Sequence, residues 1–424
     1  MRFEQAPERD PSTPLASRSE EALDALLLKA HLAAPHQMAG LVAEQAAVLG
    51  VEQAVIYLAD LQQEYLVPLA DPSAGRSRLP LPVDTTLAGR AFQHVEIQVQ
   101  AVDQGVQVWL PMLDGTERLG VLAVTVPAEL ARSFAVGGPL GVRLRRFASL
   151  VAELVATKTA YGDDLVLARR RQRMSLPAEM QWSLLPPLTF GCAEVTIAGA
   201  LEPAYEVAGD TLDYAVNRGR VHLAVVDGMG HGLQSAQSAV LAVSAYRNGR
   251  RGDLSLAENF RNIDATLQAA FGSEVFATAV LAELDSDTGR FTWVSAGHPE
   301  PVLMRRGRMV KLLTVEPSLP LGLGGVEPGA GPPVVGTAQL EPGDQVLLYT
   351  DGVIEARSPE GELFGVPRLV DLVSRQLAGG LPAPETMRRV VRALLAHQQG
   401  RLTDDATLLL VEWRGSSQEN LLPG

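Results

Sequence analysis

The first third of the chain alternates helical and strand-like patterns of apolar residues. The elements predicted from these patterns are a helical segment over 21–50, two short strands around a polar turn over 51–70, a short helix over 84–93 after a threonine cap, a β-hairpin over 105–127 and a long helix over 142–158. The first helical segment rests on helical spacing of Leu23, Leu26 and Leu27, and then of Val42, Ala46 and Leu49. This order of elements predicts a small mixed α/β domain over residues 21–160.

The rest of the chain divides into four further segments. Residues 1–20 are rich in Pro, Ser, Glu and Arg, which predicts a disordered tail. Residues 161–187 predict a helical connector interrupted by Pro177. Short β runs and helices then alternate over 188–414, which predicts a second domain, and residues 415–424 form a polar tail.

Two motifs of the first segment resemble a GAF sensory domain. They are "LAGRAF" and, further along, "LPMLDGTERLGVLAV". The resemblance covers residues 21–160 and implies either a small-molecule ligand in the sheet pocket or a role in dimerisation. The segment contains no cysteine, so it cannot attach a bilin through a thioether. An unrelated small α+β domain remains the alternative.

Composition and charge exclude several classes of function for this chain. The chain has 424 residues, is 46% hydrophobic and carries a net charge of −13, so nucleic acid is a poor candidate partner. Cys192 is its single cysteine, which excludes an internal disulfide or a thiolate metal cluster. The N-terminus lacks the apolar segment of a signal peptide, and no run of about 18 apolar residues could span a bilayer. We expect a soluble cytoplasmic protein that is not bound to a membrane.

Four places in the second domain pair an apolar strand with acidic residues at one end. The acidic residues are Asp210 and Asp213 in "AGDTLDY", Asp227 in "VVDGMGHG", Asp351 in "LLYTDG", and Asp404 and Asp405 in "TDDATLLLV". Each Asp-Gly pair alone is a common turn dipeptide with a structural role. Together, aspartates at the ends of strands in one sheet can converge. Converging carboxylates repel one another unless a hard divalent cation binds them.

These motifs, with "AEMQWSLLPP", "VSAGHPEPVL" and "FGVPRL", resemble the SpoIIE-like branch of the metal-dependent serine/threonine phosphatases, the PPM class. The resemblance covers residues 178–412, with separations of 17, 124 and 53 residues between Asp210, Asp227, Asp351 and Asp404. It implies a PPM-type αββα sandwich, two β-sheets flanked by helices. Following a GAF-like sensor domain, this makes the whole chain α+β.

The resemblance also implies the roles of the site residues. Asp227 bridges two Mn²⁺ or Mg²⁺ ions, and Gly228 contributes its backbone carbonyl. Asp210 serves the second ion, directly or through water, whereas Asp351 and Asp404 hold the first. Asp213 and Asp405 match acidic motif positions without an expected metal contact. On this resemblance, water activated by the ions would attack phosphorus directly, and no phosphoenzyme would form.

Some residues depart from the family pattern or invite other roles. Ala208 stands where the family often has glycine, and Thr211 and Leu212 separate the two acids where it often has an aromatic residue. For His231 we expect a role in packing, or in hydrogen bonds to groups around the metal ligands, rather than a catalytic role. For His298 we expect a structural role in a turn.

The functional hypothesis is a phosphatase that hydrolyses phosphoserine or phosphothreonine on a regulatory protein, such as an anti-sigma-factor antagonist. The N-terminal domain would control it, and the helices beside the connector suggest a homodimer. The alternatives are a non-catalytic scaffold that binds a phosphoprotein and a metal-dependent phosphodiesterase. The four aspartates argue against the first, and the lack of a His-Asp metal pair argues against the second.

Overall fold

The computed structural model describes residues 15–70, 78–103, 105–132, 134–207, 209–230, 232–324, 331–400 and 402–415, with only the backbone described for residues 15–18. The described residues divide into two compact units at the Arg171–Gln172 bond, and residues 115–117 group with the second unit. This boundary falls inside the predicted connector.

Unit 1 contains six helices and six strands among its described residues. They are α1 (Leu15–Leu32), α2 (Met38–Val48), β1 (Gln53–Ala59), β2 (Tyr65–Pro68), β3 (Leu81–Pro82), α3 (Leu87–His94), β4 (Gln98–Val102), β5 (Gly105–Asp114), β6 (Glu117–Pro127), α4 (Ala128–Ala131), α5 (Pro139–Thr159) and α6 (Asp164–Ala168), with a 3₁₀ turn at Pro35–Gln37. Thr86 caps α3 by accepting a hydrogen bond from the Gly89 amide. The predicted short helix, hairpin and long helix are confirmed.

The strands of unit 1 form one antiparallel sheet in the order β3-β2-β1-β6-β5-β4. One apolar cluster joins α1, α2 and α5 to the sheet through residues such as Leu26, Val42 and Phe147. A second cluster includes Ala91 and Phe92 of α3. This arrangement is compatible with the GAF-like domain, which stays a prediction, as do its ligand and the homodimer.

Two local predictions need correction. Helix α1 begins at Leu15, so residues 15–20 are helical rather than a disordered tail, and residues 1–14 lie outside the described part. Pro177 lies in the first turn of a helix, Leu176–Leu184, rather than interrupting one. A proline is tolerated there because the first amides of a helix have no intrahelical acceptor.

Unit 2 contains the remaining elements. They are α7 (Leu176–Leu184), β7 (Thr189–Gly191), β8 (Val195–Glu202), β9 (Asp210–Asn217), β10 (Arg220–Gly228), α8 (Leu233–Arg251), α9 (Leu256–Phe271), β11 (Ala277–Asp285), β12 (Arg290–Ala296), β13 (Val302–Arg305), β14 (Arg308–Leu312), β15 (Gly336–Gln339), β16 (Asp344–Tyr349), α10 (Asp351–Ile354), α11 (Gly365–Ala378), α12 (Ala383–His397) and β17 (Ala406–Trp413).

Two sheets face each other in unit 2, with strand orders β15-β12-β11-β10-β9 and β14-β13-β16-β17-β8-β7. Strand β10 is buried on both faces. Its Leu223 and Val225 join the core shared with β8, β16 and β17, whereas Ala224 and Val226 pack with residues of α8 and α9. Helices α11 and α12 cover the other sheet. The predicted sandwich of two sheets flanked by helices is confirmed.

Among the described residues, none of the helices combines the length and apolar character needed to cross a membrane.

Candidate metal centre

The two sheets of unit 2 place the predicted aspartates at neighbouring strand ends. Asp210 begins β9 and lies directly opposite Asp227 of β10 in the antiparallel register. Asp351 begins α10, two residues after the end of β16, and Asp404 lies two residues before β17. Strands β16 and β17 pair with each other. Each sheet therefore contributes two of the four carboxylates.

Hydrogen bonds connect the end of β9, in one sheet, with residues beside β16 and β17, in the other. The Thr350 hydroxyl donates to Asp210 Oδ2 at 2.7 Å and accepts from the Thr407 amide at 2.9 Å. Asp405 Oδ2 accepts from the Gly209 amide at 2.8 Å. The predicted non-ligand Asp405 thus orients the backbone that leads into Asp210.

The carboxylates perturb one another's ionisation. Burial, followed by the charges of Asp351, Asp404 and Asp405, raises the pKa of Asp227 to about 7. Burial, followed by the charges of Asp227 and Asp405, raises the pKa of Asp210 well above its usual range. The pKa of Asp404 is also raised, by burial and then by Asp351 and Asp405. All four predicted aspartates, with Asp405, therefore belong to one electrostatic cluster.

Glycines allow the close approach of the strand ends. A Cβ added at Gly209 would lie 2.5 Å from both the Gly228 carbonyl oxygen and Ser235 Oγ. One added at Gly352 would clash with the Asp405 carbonyl. The Gly228 carbonyl, a predicted metal ligand, accepts a hydrogen bond from Ser235 Oγ at 2.8 Å and keeps a second lone pair. Gly230 and Gly232 have positive φ of 84°, as the sharp turn into α8 requires.

The carboxylate and carbonyl oxygens of this cluster fit a hard divalent cation, although the side chains do not yet surround a single metal position. Within the described ranges, no three His, Cys, Asp or Glu side chains form a metal-binding group. The chemical fit rests on clustered carboxylates whose raised pKa values a cation would reverse. Carboxylate and carbonyl oxygens are the ligands that Mg²⁺ and Mn²⁺ favour. The individual ligand assignments stay predictions.

Asp213 has a structural role. Its side chain is 1% exposed and forms ion pairs with Arg247 at 2.6 Å and Arg250 at 2.8 Å, both on α8. Arg247 also donates to the Leu184 carbonyl at the end of α7, at 2.5 Å. Asp213 therefore anchors α7 and α8 to β9.

The predictions for His231 and His298 have different outcomes. His231 lies outside the described residues. The His298 amide donates to Ser295 Oγ at 3.3 Å within the turn after β12, as its expected turn role requires. The His298 ring also lies 2.7 Å from Thr278 Oγ1, a contact that the sequence did not indicate.

Sequence reasoning missed the hydroxyl residues Thr278, Thr350 and Ser235. Thr350 stands beside Asp351 in "YTDG", so its position in the motif was a usable signal. Thr278 and Ser235 occur in ordinary strand and helix sequence, and only the fold brings them to the carboxylate cluster.

Residues 217–414 match the family model described as Stage II sporulation protein E (SpoIIE). These residues form a SpoIIE-family domain. The resemblance predicted from the motifs is confirmed, and the SpoIIE-family match contains Asp227, Asp351 and Asp404, whereas Asp210 lies just before it.

Relatives of this chain include two proteins of Bacillus subtilis (strain 168). Phosphoserine phosphatase RsbU is 24% identical over 276 residues, which cover 62% of this chain and 77% of RsbU. Phosphoserine phosphatase RsbP is 27% identical over 198 residues, which cover 45% of each chain. A structure of the RsbU and RsbW domains of Rv1364c from Mycobacterium tuberculosis is 28% identical, covers 52% of this chain and 62% of that one, and has a TM-score of 0.45.

The raised pKa of Asp227 predicts an unusual pH dependence of stability. Without metal, the Asp227 contribution to folding should be lost as pH rises from about 4 to about 7. In that range the folded carboxyl retains a proton that the unfolded chain, with its pKa of 3.8, has released. The loss is at most roughly 4 kcal/mol, at about 1.4 kcal/mol per pKa unit.

Urea unfolding in EDTA between pH 4.5 and 8 measures this loss. The Asp227→Asn variant is the matched control, because the difference between its profile and that of the wild type isolates the Asp227 contribution. Saturating Mn²⁺ should flatten the wild-type profile, since metal ions bind ionised carboxylates. Parallel profiles of wild type and variant in EDTA would contradict the assignment.

Proposed function

We propose that this chain is a metal-dependent protein phosphatase that hydrolyses phosphoserine or phosphothreonine on a regulatory protein. The observation that carries the proposal is the cluster of Asp210, Asp227, Asp351 and Asp404, drawn from two sheets and coupled strongly enough to raise pKa values. The SpoIIE-family match and the phosphoserine phosphatases among its relatives support the same activity.

In this proposal, two Mn²⁺ or Mg²⁺ ions would be held by Asp227, the Gly228 carbonyl, Asp351 and Asp404, and Asp210 would serve one of them directly or through water. When bound, the ions would lower the pKa of water and polarise the phosphoryl group. Asp405 and Thr350 hold Asp210 in place through the bonds described above. The carboxylates also repel a free phosphate anion, so substrate binding depends on the bound cations.

The proposal also covers the class of substrate and the control of activity by the N-terminal domain. The phosphoserine phosphatases RsbU and RsbP support a phosphoserine as the substrate group, on a regulatory protein of the anti-sigma-factor antagonist kind. Residues 21–160 would control the activity as a sensor domain, because they lie in a separate compact unit that precedes the phosphatase domain.

The test is release of phosphate from a phosphoserine peptide with Mn²⁺, with Mg²⁺ and with EDTA, beside an aryl phosphate diester. We expect release that depends on metal from the monoester and none from the diester. Diester cleavage would support the phosphodiesterase alternative, and no release from any substrate would support the non-catalytic scaffold.

Sensor control is tested in the same assay by comparing the full chain with a chain that begins at Gln172, the start of unit 2. The two chains should differ in rate. Equal rates from two folded proteins would remove the sensor from the proposal.

A further inference from the structure

Thr278 lies beside the predicted bridging aspartate. It is the residue of β11 directly opposite Asp227 of β10 in the antiparallel register. Its hydroxyl is close enough to the Asp227 carboxylate to lower the pKa of that carboxyl, against the larger effects of burial and of neighbouring carboxylates. Thr278 thus brings a neutral hydroxyl group to Asp227 in a cluster dominated by negative charge.

His298 lies behind Thr278. Its side chain is buried, with the whole residue 6% exposed, and its Nδ1 lies 2.7 Å from Thr278 Oγ1. Burial lowers the pKa of the ring to about 4, so the imidazole is neutral at pH 7. A neutral imidazole carries one N–H, on either Nδ1 or Nε2.

The position of that proton decides what the threonine hydroxyl can do. A hydroxyl has one proton, so Thr278 can donate to Asp227 only if His298 Nδ1 is itself a donor to Thr278 Oγ1. In the other tautomer Nδ1 accepts the hydroxyl proton, and Asp227 loses its donor. His298 Nε2 has no hydrogen-bond partner among the described residues, although the Tyr349 carbonyl is near enough to raise the pKa of the ring.

We propose that His298 is a positioning residue: its Nδ1–H holds the Thr278 hydroxyl so that it donates to Asp227 and fixes the orientation of that carboxylate for metal binding. The inference rests on the proposed function, since it concerns the same metal centre. Hydrogen bonds to the residues that bind a metal orient those ligands, and removing one such bond typically weakens metal affinity by about 10- to 100-fold.

The first test compares Thr278→Val with Thr278→Ser by calorimetric titration of the metal-free protein with Mn²⁺. Valine matches threonine in shape but lacks the hydroxyl, so we expect Mn²⁺ affinity to fall by about tenfold. Serine keeps the hydroxyl and should retain wild-type affinity. Equal affinities for wild type and Thr278→Val would overturn the proposal.

The second test is a double-mutant cycle with His298→Leu. If His298 acts through Thr278, His298→Leu weakens Mn²⁺ binding in the wild-type background and has no further effect in the Thr278→Val background. His298→Asn, whose amide can take the place of Nδ1–H, should restore part of the affinity. Equal losses in the two backgrounds would show that His298 acts on the fold in general, which contradicts the proposal.

Thermal unfolding of each metal-free variant accompanies the titrations. If His298→Leu does not fold, His298→Asn and the Thr278 pair still decide the outcome. A wild-type chain that binds no Mn²⁺ would refute the proposed function itself. A wild type that binds Mn²⁺ and releases phosphate, with a Thr278→Val variant of equal affinity, would refute only the role of Thr278 and His298.

Discussion

Replacing Asp227 by asparagine is expected to abolish metal-dependent phosphate release while leaving the protein folded. Asp227 lies opposite Asp210 across the β9–β10 pair, and Asp351, Asp404 and Asp405 all raise its pKa. Asparagine keeps the shape but removes the charge that a bridging ligand supplies. We expect kcat/KM for an aryl phosphate to fall by roughly 10³-fold or more, the upper range for losing one electrostatic contribution to a transition state.

The same substitution should stabilise the metal-free protein at pH 7.5, because it removes one of several mutually repelling carboxylates. Activity and stability therefore change in opposite directions, which separates loss of function from loss of fold. Asp287→Asn is the matched control, since Asp287 is exposed in the turn between β11 and β12. Kinetics with saturating Mn²⁺ and urea unfolding in EDTA measure the two effects. An active Asp227→Asn variant would exclude Asp227 as the bridging ligand.

Asp213→Ala should produce the largest loss of stability, about 3–5 kcal/mol, the range for breaking a buried ion pair from one side. The substitution leaves Arg247 and Arg250 without their shared carboxylate, and the Arg250 side chain is only 8% exposed. Because Arg247 also donates to the Leu184 carbonyl, the end of α7 should loosen from α8. Urea unfolding measures the loss, and hydrogen exchange over α7 locates it.

Asp371→Ala is the control for this stability effect. Asp371 pairs with Arg375 one turn along α11, and both side chains are about half exposed or more. Exposed pairs of this spacing contribute only about 0.3–0.5 kcal/mol. Comparable losses for the two variants would mean that Asp213 does not anchor α7 and α8 to β9.

Much of the fold of unit 2 could be predicted because its signals are local. Apolar runs that end in Asp-Gly predict strand ends at Asp227 and Asp351, and the structure places Asp227 at the end of β10 and Asp351 two residues beyond β16. The structure of the first twenty residues was harder to predict. Their Pro, Ser and charged residues predicted disorder up to residue 20, yet α1 begins at Leu15 and buries Ala22 and Leu26 against the domain core. Tertiary packing overrides weak helix propensity there.

Asp213 shows the limit of motif reasoning at the site. In sequence it stands three residues after Asp210, and the family resemblance gives it no metal contact and no other role. In the structure its carboxylate is held by Arg247 and Arg250, which come from a helix more than thirty residues further along the chain. Residue type and spacing alone cannot separate an acid that pairs with arginine from one that remains available to a cation.

The sequence by itself indicated the family of the second domain and the four aspartates as candidate metal ligands, since motif composition and strand-ending carboxylates are local properties. Only the tertiary structure decided how these residues are held. Thr350 donates to an aspartate 140 positions away, and Asp405 accepts from an amide 196 positions away. Such contacts depend on how two sheets pack face to face, which no spacing along one strand encodes.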